Sequence, residues 1–156
     1  MFESCRPDHR SLNRPSKDPH MSSTALDDLG KLVLRLNLGI LLLLHGLSKL
    51  DTGVARIGNA LAANGLPAFI AYGAYLGEIL APVLLILGLY TRLGALLALV
   101  NMLFAIGLAH MNHLFTLGQS GGWGLELQGF FLFNSLAVLL LGAGSHSVGG
   151  RNGRWN

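Results

Sequence analysis

The chain of 156 residues is 51% hydrophobic and only 12% charged, with a mean hydropathy of +0.51. Soluble domains carry about 25% charged residues, so a bilayer is the expected surrounding, and the length suits one domain. A net charge of +3 without an aromatic-basic stripe or finger spacing argues against nucleic acid as a partner. The single cysteine, Cys5, excludes an internal disulfide, a CxxC pair or an iron–sulfur cluster held by this chain alone.

Residues 1–28 are polar, with Pro7, Pro15 and Pro19, and read as a disordered tail without the apolar core of a signal peptide. Met21 precedes "SSTALDDLGKL", which has the look of a natural start with capping residues. Residues 1–20 therefore read as an upstream extension or a dispensable tail. The first apolar segment, residues 29–50, contains Arg35, His45 and Lys49. Residues 51–67 follow with weak amphipathic spacing (Val54, Ile57, Leu61) that predicts a short interfacial helix. The second segment, residues 68–90, carries Glu78 with Pro82 one turn later. Thr91 and Arg92 are expected to make a tight turn into the third segment, residues 93–111, which contains Asn101 and His110. A glycine-bearing loop, "NHLFTLGQSGG", leads to the fourth segment, residues 123–142, with Glu126, Gln128 and Asn134. Residues 149–156 form a polar tail.

Each apolar segment approaches the ~20 residues that cross ~30 Å of hydrocarbon. Lipid offers no partner for backbone groups, so the segments should be helices. The expected fold is all-α, an integral membrane four-helix transmembrane bundle spanning residues 29–148. Lys and Arg concentrate in the N-terminal tail, at Arg92 and at Arg151 and Arg154, against only Lys49 and Arg56 on the other side. Both termini should therefore be cytoplasmic.

Ionisable residues inside a membrane are costly, by at least ~2.5 kcal/mol each near the centre, and usually face the bundle interior. At 100° and 1.5 Å per residue, Arg35, His45 and Lys49 share a stripe on the first helix. The simplest pairing joins Arg35 to Glu78 near mid-membrane, and Glu126 to His45 or Lys49 near the outer face. The plainer readings are that Lys49 and Arg35 snorkel to opposite interfaces, that the ion pairs serve packing alone, and that His45 is a packing histidine. Haem would require His45 and His110 to face each other, and a divalent metal would require His45, Glu126 and His110 together. Neither has a supporting ligand spacing within a helix, so no metal site is expected. Asn101 and His110 lie about 180° apart on an ideal helix and should not share a face. Gly39, Gly46, Gly77, Gly88 and Gly94 allow close helix approach. Tyr72, Tyr75, Tyr90 and Trp123 read as interfacial aromatics. Phe130 and Phe133 share the face of Glu126, where a flat aromatic ligand is conceivable.

Five stretches in order resemble the DoxX family of small four-helix membrane proteins. These are Arg35, then "HGLSKL" with His45 and Lys49, "GEILAPVLLILGLYTRLGALLAL" with Glu78, "GGWGLEL" with Glu126, and "GAGSHSV". Gly149 stands where the family often has aspartate. The resemblance implies a bacterial plasma (inner) membrane protein loosely associated with redox metabolism, through quinone or thiol and sulfur chemistry. On that expectation the chain is a non-autonomous subunit beside a soluble or membrane redox partner. It binds a small hydrophobic ligand such as a quinone in a polar pocket of His45, Lys49 and Glu126, braced by Arg35 and Glu78. His110, Asn101 and Asn134 are secondary candidates. The alternatives are a small-molecule or proton transporter, which with so few helices would need a homo-oligomer, and an assembly or scaffold protein without catalysis.

Overall fold

The computed structural model describes residues 23–118, 121–150, 153, 155 and 156. The expected disordered tail up to residue 22, the internal start at Met21, and Arg151 and Arg154 lie outside the described residues. Over the described residues the chain is helical, with no strand and one isolated bridge between Leu117 and Trp123.

Helix α1 runs Ser23–Thr52, about 45 Å at 1.5 Å per residue. It begins ahead of the expected Leu29 because its first turns have partners. Asp27 accepts from Lys31 one turn on at 2.7 Å, and the Ser145 hydroxyl donates to Asp28 at 2.6 Å. Helix α2, Ala55–Ala63, is the short helix predicted from Val54, Ile57 and Leu61. Val54 and Leu61 pack on Ala71 and Ala74 of the next helix.

Helix α3 spans Ala68–Leu87 and α4 spans Thr91–His113. Neither is uniform. α3 opens with a 3₁₀ stretch, Ala68–Tyr72, and widens to π geometry over Leu76–Leu80, where the Ala81 amide donates to the Leu76 carbonyl five residues back. The widening ends two residues before Pro82, whose missing N–H already interrupts the ordinary ladder. α4 is regular to Ala105, then π over Ile106–His110 and 3₁₀ over Met111–His113. The reversal between them is made by Gly88 (φ +67°) and Tyr90 (φ +47°). Thr91 and Arg92, expected as the turn, are the first residues of α4. The left-handed conformation costs glycine almost nothing, so the chain turns at Gly88 instead.

Helix α5, Glu126–Leu141, is apolar but shorter, about 24 Å. Among the described residues three helices, α1, α3 and α4, are long and apolar enough to cross a membrane. α5 packs along α4 and also touches α1, while α1 and α4 both pack on α3. The four helices thus close into a ring around one core of Leu38, Leu42, Ala81, Leu85, Ala98, Phe131 and Val138. Neighbours run antiparallel: Gly39 faces Pro82 and Ile86 while Gly46 faces Glu78, and Gly94 faces Ala81 while Gly77 faces Asn101. The outer surface is apolar, with Val33, Leu44, Leu50, Leu103, Phe133 and Leu140 all exposed, as lipid requires.

Both described chain ends lie at one end of the bundle. There the segment after α5 is clasped by α1 and by the α3–α4 turn. Ser145 binds Asp28, the His146 carbonyl accepts from Arg35 Nη2 at 2.7 Å, and the Val148 and Gly149 amides donate to Leu87 and Gly88. Asn156 Oδ1 accepts from the Thr91 amide and hydroxyl, both at 3.1 Å, and so caps α4.

Candidate functional site

Two glycines bring three helices together at one carboxylate. A Cβ on Gly46 would stand 2.0 Å from the Glu78 carbonyl oxygen, and one on Gly77 would stand 2.3 Å from Asn101 Cβ. With hydrogen in both places, α1 and α4 close on α3 from either side. Lys49, one turn beyond Gly46, then reaches Glu78 as an ion pair. Asn101 donates its amide to the same oxygen, Glu78 Oε1, at 3.0 Å. Glu78 is 4% exposed, and its second oxygen, Oε2, is buried without a hydrogen-bond partner. Tyr75, one turn before Glu78, donates its hydroxyl to the Lys49 carbonyl at 3.3 Å and ties the end of α1 to α3.

Above this node lies a cavity of about 410 Å³. It exists because the helices end at different heights. α1 stops about 5 Å past Lys49, whereas α3 and α4 continue about 15 and 18 Å past Glu78 and Asn101. α2 folds across the gap as a wall. The residues around the gap include Ala60, Ala71, Gly73, Ala74, Ala105 and Ala109, which line the space without filling it, beside Ile57, Leu76, Val100, Phe104 and Leu108. Lys49, Glu78 and Asn101 supply polar groups at the node, and Arg56 and His110 line other parts of the wall. The π stretches of α3 and α4 both border the cavity. Such insertions recur where a helix is adapted to a function.

The expected pairings change. Arg35 does not meet Glu78: Gly46 sets the register opposite Glu78, and Arg35 lies eleven residues, about 16 Å, further along α1. Arg35 is instead 1% exposed at the other end, donating to the His146 carbonyl, with Nε and Nη1 unpartnered. Its guanidinium presses on Gly88, where a Cβ would meet Nη1 at 1.7 Å. Glu126 pairs with neither His45 nor Lys49. It is exposed at the start of α5, on the outward face it shares with the exposed Phe130 and Phe133. The buried Phe131 lies about 140° round the helix from it. His45 is exposed, directs Nδ1 to the Leu41 carbonyl at 2.9 Å and meets the edge of Phe131. His45 and Glu126 therefore leave the predicted pocket, while Lys49 and Glu78 stay in it.

Asn101 and His110, expected on opposite faces, both line the cavity. The π stretch Ile106–His110 between them slows the rotation per residue and swings His110 back. His110 Nε2 also lies 3.3 Å from the Gln128 amide nitrogen of α5. Asn134 stays on its own helix and donates to the Phe130 carbonyl at 2.7 Å. Among the described residues no group of three or more His, Cys, Asp or Glu comes together as a metal ligand set. Asp28 and Ser145 were not singled out from the sequence, nor was the place of Arg56 in the cavity wall. The legible signal for the node was a glycine close to an ionisable residue: Gly46 before Lys49, and Gly77 before Glu78.

The DoxX family model matches residues 30–111. The match takes in every residue that lines the cavity. Glu126, Asn134 and the clasp segment lie beyond it. No curated protein and no solved structure gives a significant match to the chain.

Proposed function

Because this chain belongs to the DoxX family of membrane proteins, we propose that its cavity binds a small, largely apolar ring compound of the quinone class, and that it works as a non-autonomous subunit of a redox system. The observation that carries this reading is the cavity itself. Its volume of about 410 Å³ falls within the ~300–1,000 Å³ usual for small-molecule sites, and apolar walls with a few convergent polar groups are their common form. Lys49, Glu78 and Asn101 are the groups that orient a ligand's polar end. Leu76, Val100, Phe104 and Leu108 hold its apolar body. His110 and Arg56 stand where a ligand arriving from the α2 end would pass them. Electron transfer is assigned to a redox partner, soluble or membrane-bound. The host membrane in this reading is the bacterial inner membrane, with both chain ends cytoplasmic, an orientation that the Lys and Arg distribution favours.

A transport pathway is less well supported. Towards the clasp end the interior is filled by Leu38, Leu42, Leu85, Ala98 and Val138, all buried, so the cavity has no continuation there. Saturable binding of a short-chain quinone or its hydroquinone to the purified protein in nanodiscs tests the proposal. Ala105→Phe places a ring in the cavity and should abolish that binding while the helical spectrum is kept. Wild-type protein without saturable binding, or equal binding by Ala105→Phe, would refute it.

A further inference from the structure

The two oxygens of Glu78 are not equivalent. Oε1 already accepts from Lys49 and from Asn101, while Oε2 accepts from nothing and is shut off from solvent. An ionised carboxylate can only accept, and a buried acceptor without a donor is costly. The missing partner is therefore a donor. Lys49 is 30% exposed and has N–H groups beyond the one given to Glu78, so it can donate to an acceptor in the cavity as well.

From this complementarity, and resting on the cavity reading above, we propose that the site selects a neutral ring bearing a hydroxyl group, a hydroquinone or phenol, over the same ring with a carbonyl or an ether. A hydroxyl donates to the Glu78 carboxylate and accepts from Lys49 at once. A quinone carbonyl only accepts, so it can meet Lys49 but leaves the carboxylate oxygen bare. A cationic head at the node would meet repulsion from Lys49, and an anionic head would meet it from Glu78. A neutral donor–acceptor head avoids both conflicts. Because Oε2 is shut off from solvent as it stands, binding turns the carboxylate about its terminal bond, a soft torsion, and Oε1 then shares its bonds to Lys49 and Asn101 with the incoming hydroxyl. The ring then lies among Leu76, Val100 and Phe104.

The test compares three probes of one skeleton on the full chain in zwitterionic nanodiscs: a short-chain dimethoxy-hydroquinone kept reduced under argon, its quinone, and its dimethyl ether. Equilibrium dialysis against empty nanodiscs subtracts partition into lipid. The hydroquinone is expected to bind about 10- to 100-fold more tightly than the other two, the worth of one hydrogen bond to a buried charge. Glu78→Gln, which presents an amide donor as well as an acceptor, should remove most of that preference. Equal affinity for the three probes, or tighter binding of the quinone, overturns the selectivity and leaves the cavity reading standing. Binding of none of them above lipid partition overturns both. If Glu78→Gln does not fold, the wild-type comparison decides alone.

Discussion

Replacing Gly46 by alanine pushes α1 off α3. The new methyl carbon would stand 2.0 Å from the Glu78 carbonyl oxygen and 2.7 Å from its carbon, where ordinary contact begins at 3.4 Å. The shortfall of about 1.4 Å falls on helix backbone, which cannot swing aside as a side chain can. Overpacking commonly costs about 1–3 kcal/mol, and a backbone obstacle places this variant at about 3 kcal/mol. The separation also pulls Lys49 back from Glu78, so the polar node opens with the helix pair. Gly30 on the same helix is the control: nothing lies within 4 Å of its Cβ position, and Gly30→Ala should stabilise by about 0.5–1 kcal/mol through helix propensity. The assay is reversible unfolding in mixed micelles of mild detergent and dodecyl sulfate, followed by circular dichroism. A Gly46→Ala midpoint equal to wild type, or equal to that of Gly30→Ala, would refute the close crossing and the register built on it.

Lys49→Met leaves Glu78 with Asn101 as its one remaining donor in an apolar setting. It should cost about 2 kcal/mol, less than a fully buried pair because Lys49 is partly exposed. Lys49→Met combined with Glu78→Gln should recover at least ~1 kcal/mol of that loss in a double-mutant cycle by the same unfolding assay; simple additivity would contradict the pairing. Glu126→Gln should change stability by less than about 0.5 kcal/mol and leave probe binding unaltered, since the side chain is exposed away from the cavity. Asp28→Asn should weaken the clasp on Ser145 by about 1–2 kcal/mol. Limited proteolysis would show it as faster cleavage within residues 143–150, and an unchanged rate would count against the clasp.

Composition and periodicity alone determined that this chain is a helical membrane protein. They also located its apolar segments and singled out Lys49, Glu78 and Asn101, because a polar group in a greasy helix stands out whatever its partner. The family motifs were legible for the same reason: they are runs of local pattern. Which cation meets Glu78 was decided only by the tertiary structure. Partner choice depends on the register between antiparallel helices, and that register is set by Gly46 and Gly77 where the backbones touch. Rotation counted at 100° per residue failed for His110 because a π stretch intervenes, a departure that residue spacing does not announce. The cavity, likewise, follows from α1 ending short of its neighbours and α2 folding over the gap. Unequal helix heights are a property of the assembled bundle, and no single segment carries them.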